Sequence, residues 1–139
     1  MIEAPYSRAE LADVYLPTGP MLLIDRVVEV QEDGIHCELD LESHWVFEHH
    51  FPGDPIFPAS LMIEAAGQAI AIWCWHEGIE GKPRLARVKA AMEAEARPDA
   101  EVLVLRARMR RRQNICAGEV ELFCGAQRVA VIEETLAFV

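Results

Sequence analysis

Two residues of this chain have the type and setting for proton transfer: His50, at the end of a proline-rich loop, and Glu64, inside the apolar segment that follows. The junction joining them reads His50-Phe51-Pro52-Gly53-Asp54-Pro55-Ile56-Phe57-Pro58-Ala59-Ser60-Leu61-Met62-Ile63-Glu64-Ala65. Pro52, Pro55 and Pro58 restrict the backbone just before that segment, which suits a site that must hold its groups rigidly. An imidazole exchanges protons near neutral pH. A carboxyl among Leu61, Ile63 and Ala65 loses hydration, which raises its pKa and lets it carry a proton to donate. The alternative for Glu64 is structural: a carboxylate paired with an arginine, or one reaching solvent. A metal reading of His44, Glu48, His49 and His50 is weaker, because adjacent histidines on an extended chain point to opposite faces and no H-E-x-x-H spacing occurs. A hydrolase triad is weaker still, since Ser60 lacks the G-x-S-x-G setting and no glycine-rich phosphate loop accompanies it. The sequence therefore asks for no metal and no cofactor.

The elements that must position these groups follow from periodicity. Ser60 to His76 reads as a helix ending near Gly78, apolar almost all round, so it leaves no face for solvent and must be wrapped. Its polar residues Ser60, Glu64 and Gln68 recur every four positions and form one narrow stripe. Upstream, the S-x-x-E box of Ser7 and Glu10 predicts a short helix over Arg8–Tyr15. Met21 to Val30 reads as a strand, Asp33-Gly34 as a hairpin turn, and Ile35 to Leu41 as an alternating, half-buried strand. Residues 42–59 read as a shaped loop. After the helix come four strands, Leu85–Ala96, Val102–Arg112, Ile115–Cys124 and Gln127–Val139, with turns at Pro98-Asp99 and Gly125-Ala126. One antiparallel sheet curled around one long buried helix, an α+β arrangement, hides such a helix most simply.

Composition bounds the answer from the other side. With 139 residues, 52% of them hydrophobic and 26% charged, the chain is one globular domain spanning 1–139, with no room for a second catalytic domain. A net charge of −10 argues against general nucleic-acid binding, which needs a positive field. The charge is uneven: residues 1–80 hold Arg8 and Arg26 against 15 acids, whereas residues 81–139 hold 11 bases against 8 acids. Cys37, Cys74, Cys116 and Cys124 form no C-x-x-C pair, and Glu3 and Glu10 replace the basic, apolar opening of a secretory signal. Reduced thiols and a cytoplasmic location are the expectation. The longest apolar run, Leu61–Trp75, falls short of the roughly 20 residues needed to cross a bilayer, so no membrane span is expected.

The run H-F-P-G-D-P-I-F-P-A-S-L-M-I-E-A-A-G-Q resembles the signature of the 3-hydroxyacyl-carrier-protein dehydratases, the FabA/FabZ group with the hotdog fold. Leu16-Pro17 and Met21-Leu22-Leu23-Ile24-Asp25-Arg26-Val27 resemble the group's first-strand segment. The resemblance implies a hotdog fold and dehydration of a 3-hydroxyacyl thioester to a trans-2-enoyl thioester in fatty-acid, polyketide or polyene-type synthesis. It implies His50 as the base at C2 and Glu64 as the acid toward the 3-hydroxyl, the two meeting across a homodimer or within a higher homo-oligomer. It further implies Gly53, Pro58, Ala59 and Gln68 as substrate-binding positions, the Ala59 N–H polarising the thioester carbonyl. Pro58-Ala59 stands where the group carries Pro-Gly, and Leu16-Pro17-Thr18-Gly19 where it carries Leu-Pro-His-Arg. The same fold hosts acyl thioesterases and could host a non-catalytic acyl-binding protein, so those readings stay open.

Two further expectations concern the substrate. An acyl tunnel along the helix would end near Trp73 and Trp75, unless both are plain core. Arg106, Arg108, Arg110 and Arg112 alternate on one strand face. They form either a dock for an acidic acyl carrier protein or a solvent face neutralised by Glu93, Glu95, Glu119 and Glu121.

Overall fold

The computed structural model describes residues 5–139. Among the described residues seven strands make a single sheet: β1 (Tyr6–Ser7), β2 (Arg26–Gln31), β3 (Gly34–Asp40), β4 (Pro83–Met92), β5 (Val102–Arg112), β6 (Ile115–Cys124) and β7 (Gln127–Phe138). Their spatial order is β1-β2-β3-β5-β6-β7-β4, and every pair is antiparallel. The helix α1 (Ala59–His76) packs against β3 through β7, so the sheet wraps it as its apolar sequence requires. Ala65, Ala66, Ala69, Ile70 and Ile72 of α1 meet Leu39, Leu103, Leu105, Val120, Leu122, Ile132 and Leu136 of the sheet in one core. Small alanines let the sheet approach the helix closely. Gly118 of β6 completes that fit, since a Cβ there would lie 2.7 Å from Ile70 Cδ1.

The strands after the helix follow the alternation of their sequence, and β5 and β6 occupy the expected spans. Three expectations are corrected. The helix expected over Arg8–Tyr15 is a 3-10 turn over Arg8–Asp13. Its capping box does form, the Glu10 carboxylate accepting the Ser7 N–H at 3.0 Å, but too few residues follow to offset the cost of nucleating an α-helix. The strand expected from Met21 begins only at Arg26, because the Met21 carbonyl and the Leu23 N–H are bonded to the Gln68 side chain at 2.7 and 2.9 Å. That segment is pinned to the helix instead of the sheet. Strand β4 ends at Met92, four residues early, where the Glu93 and Ala94 N–H groups both turn to the Val129 carbonyl.

The two tryptophans differ in their packing. Trp73 is buried with its indole N–H donating to the Gln31 carbonyl at 3.1 Å, and Trp75 stacks edge-on against Tyr6. Trp73 belongs to the core, and Trp75 is partly buried against it. The four cysteines are free thiols. Among the described residues no helix is long and apolar enough to cross a membrane.

Candidate active site

Local chemistry builds the His50 loop. Pro52 and Gly53 occupy the two central positions of a tight turn closed by Phe51 N–H to Asp54 O (2.9 Å) and Asp54 N–H to Phe51 O (2.8 Å). Gly53 has φ +77°, the left-handed value that glycine reaches without strain, so its first role is to make this turn. Beyond it, Ile56 N–H bonds to the His50 carbonyl at 2.9 Å, Phe57 N–H to Ala96 O at 2.8 Å, and Arg97 holds the Asp54 carboxylate at 3.0 Å. The His50 ring stacks on Phe51, and its Nδ1 lies 2.8 Å from the Ile56 carbonyl. A carbonyl only accepts, so Nδ1 carries the hydrogen and Nε2 of the neutral ring keeps a lone pair free to act as a base. His44 serves the backbone instead, its Nδ1 accepting the Val46 N–H at 3.2 Å and capping the 3-10 turn Trp45–Glu48.

Tertiary contacts build the Glu64 side. Gln68 is 2% exposed, its Oε1 accepting from Leu23 N–H and its Nε2 donating to Met21 O and to Glu64 Oε2 at 3.1 Å. Its amide is thus committed to holding Glu64 and the Met21–Leu23 segment. Glu64 and Gln68 line a cavity of about 520 Å³ with Ser60, Ile63, Gly67 and Ala71 of the same helix face, Tyr15, Leu16 and Pro17, and Leu85 and Leu136 of the sheet. The face from Ser60 to Ala71 is roughly 16 Å long at 1.5 Å per residue. Gly53, Pro58, Ala59 and His50 do not line this cavity. Ala59 opens α1 at its exposed N-terminus, where first-turn amides have no helical acceptor. The segment after Leu16-Pro17 has no base of its own, yet Arg8 reaches it, donating to Gly19 O at 2.8 Å and pairing with Asp25 at 3.3 Å.

The strongly desolvated carboxyl of the cavity belongs to a residue outside the candidates that the sequence singles out. Glu64 is only half-buried, whereas Glu134 of β7, also lining the cavity, is 3% exposed. Burial pushes the Glu134 carboxyl up to about 8, and the neighbouring Glu64 charge adds to the shift. Gly67 makes room for it: a Cβ at that position would lie 2.9 Å from Glu134 Oε1. The signal was present in the period of β7, because Ile132, Leu136 and Phe138 face inward and Glu134 shares their parity.

The wrapped helix and antiparallel sheet define a hotdog fold. The FabA-like domain family matches residues 16–133, and the chain belongs to it. Solved structures agree on the fold. The dehydratase heterocomplex ApeI:P from Xenorhabdus doucetiae matches with a TM-score of 0.75 at 23% identity, covering 91% of this chain and 90% of that one. A hypothetical thioesterase with coenzyme A from Streptococcus pneumoniae gives 0.66 at 7% identity, covering 81% and 84%. A thioesterase from Pseudomonas aeruginosa gives 0.64 at 13% identity over 82% and 80%. At these identities the likeness carries the fold, and the reaction rests on the chemistry of the site.

Proposed function

We propose that this chain dehydrates a 3-hydroxyacyl thioester, carried on an acyl carrier protein, to the trans-2-enoyl thioester. The observation that carries the reading is the pair of held groups: an imidazole with Nδ1 committed to Ile56 and Nε2 free, and a carboxyl steadied by Gln68 at an acyl-sized cavity. His50 Nε2 takes the proton from C2 as the C2–C3 double bond forms. Glu64 gives a proton to the departing 3-hydroxyl, which leaves as water. The Ala59 N–H at the helix start, with Pro58 in front of it, would polarise the thioester carbonyl. Gln68 contributes by positioning Glu64.

Because His50 does not line the cavity beside Glu64, a second subunit completes the site in this reading. Strand β4 supports that assembly. Among the described residues it is an edge strand paired only with β7, ten residues long, and it exposes Leu85, Val88 and Met92, an edge that a second chain would cover. For the carrier protein, Arg110 and Arg112 face Ala117 and Ile115 across the sheet, whereas Arg106 and Arg108 face Glu121 and Glu119. The end of the stripe with no acidic residue opposite it suits the acidic surface and phosphate of a carrier. The second reading is an acyl thioesterase in which Glu64 activates water, favoured by the fold's likeness to the two thioesterases.

Incubating the protein with 3-hydroxyacyl and plain acyl thioesters, and following enoyl absorbance and free thiol separately, decides between the readings. Enoyl product without thiol supports dehydration; thiol release alone supports hydrolysis. Mixing inactive His50→Ala and Glu64→Ala proteins should restore activity through hybrid dimers, and continued inactivity after verified subunit exchange would contradict a shared site.

A further inference from the structure

We infer that Glu134 makes a polar subsite in the acyl cavity, and that the chain therefore takes an acyl group bearing a hydroxyl or similar hydrogen-bonding substituent in preference to a plain alkyl chain. The inference rests on the acyl-thioester reading above. It starts from an oddity of β7, whose inward residues on either side, Ile132 and Leu136, are apolar while Glu134 between them is not. Glu134 Oε2 is buried without a hydrogen-bond partner among the described residues. Its cross-strand neighbours, Gly118 on β6 and Val88 on β4, carry no polar side chain that could supply one. The helix opposite is hollowed to fit it, since Gly67 interrupts α1 at the point where any side chain would meet the carboxyl. A mid-helix glycine weakens a helix, so its presence there marks a space that is kept.

The carboxyl borders the same cavity as Glu64, beside the helix turn that follows it, with Leu16, Ile63, Ala71, Leu85 and Leu136 as the apolar remainder of the wall. Gly67 is about 4.5 Å along the helix axis from Glu64. With the reacting C3 at Glu64, Glu134 therefore stands beside the acyl chain a few bonds further on. An alkyl chain threaded past it displaces water and leaves a buried carboxyl unpaired, which is costly. A hydroxyl at that depth pairs with it, and burial keeps the Glu134 proton available as a donor as well.

The test uses pantetheine-linked octanoyl probes and the whole chain. Unreactive amides, plain or hydroxylated on the fifth, sixth or seventh carbon, measure binding by calorimetry, and the matching 3-hydroxyacyl thioesters measure dehydration. We expect one hydroxylated amide to bind roughly tenfold or more tightly than the plain one. Its binding should shift the side-chain carboxyl carbon resonance of Glu134. Glu134→Leu should abolish the preference, and Glu134→Gln, which keeps a polar group of similar size, should retain part of it. Equal or tighter binding of the plain amide, a preference that survives Glu134→Leu, a silent Glu134 resonance, or no binding of any probe each overturns the inference. Should Glu134→Leu fail to fold, the wild-type preference and the resonance decide it. Discrimination in binding without enoyl formation sinks the dehydratase reading and leaves the polar subsite standing; enoyl formation without discrimination does the reverse.

Discussion

The loop that carries His50 and the cleft that carries Glu64 are built by opposite means. The loop is held by its own turn, by bonds from Ile56 back to His50, and by two anchors around Ala96 and Arg97. Most of that is neighbouring backbone, fixed by proline and glycine chemistry. The cleft is held by Gln68 reaching the Met21–Leu23 segment and by Glu134 fitting over Gly67, partners more than forty residues apart in both cases. His50 is thus placed by local structure and Glu64 by tertiary packing. Substitutions in the two regions should fail in different ways.

The largest effect should come from the two proposed proton-transfer groups. Glu64→Gln and His50→Ala should each lower turnover by roughly 10²–10⁴-fold, the range typical of general acid–base groups, with an unchanged circular dichroism spectrum. A Glu64→Gln protein working at near-normal rate would remove Glu64 from the mechanism.

Next comes the packing that is special to the cleft. Gly67→Ala would improve the intrinsic helix propensity by about 1 kcal/mol, yet its Cβ would meet the Glu134 carboxyl at 2.9 Å. The clash should cancel part of that gain as the carboxyl, the flexible end of a side chain that borders the cavity, gives way. Glu134→Ala should relieve it, giving a coupling of about 0.5–3 kcal/mol in a double-mutant cycle measured by urea unfolding. Additive effects would show that the two do not touch.

The same carboxyl sets a pH signature. Its folded pKa, about 8, lies above the unfolded value of 4.5, so the folded state binds a proton that the unfolded state has released. Its contribution is fully present below about pH 4.5, is lost as pH rises toward 8, and is level beyond that, with a slope of at most about 1.4 kcal/mol per pH unit. Relative to Glu134→Gln, wild type should therefore lose stability across this window, and Glu64→Gln should narrow it by removing the charge that adds to the shift. A constant difference between wild type and Glu134→Gln from about pH 5 to about pH 9 would contradict the assignment.

The smallest effects belong to the loop. Gly53→Ala forces an alanine to φ +77° and should cost about 1–2 kcal/mol while leaving the pH signature of Glu134 untouched. Arg97→Ala, which breaks an exposed pair with Asp54, should change stability little. Either change altering the Glu134 titration would mean that the two regions are coupled more closely than their contacts suggest.

Legibility in the sequence divides along the same line. The spans of β5 and β6, the turn at Gly125-Ala126 and the wrapped helix were readable because period, turn residues and an all-round apolar helix are local signals. The short 3-10 turn after Ser7 and the late start of β2 were not, since a capping box does not state how long a helix will run and nothing near Met21 announces Gln68. At the site, the junction from His50 to Glu64 stood out through its prolines and through its family resemblance. Glu134 did not, although its parity with Ile132 and Leu136 was there to read, because an acidic pair in a strand near the chain's end looks like solvent-facing sequence.

The sequence by itself determined the elements, the rigid approach to the helix and the pair of proton-transfer candidates, because each depends on residues within a few positions of one another. Only the tertiary structure decided which carboxyl is desolvated and which is half-open, that Gln68 steadies Glu64, and that His50 lies outside the cavity lined by Glu64. Those outcomes depend on β7 lying between β6 and β4 and on its side chains meeting one face of α1. Desolvation of a carboxyl is set by everything packed around it, and the neighbours of Glu134 come from parts of the chain that meet only in the fold.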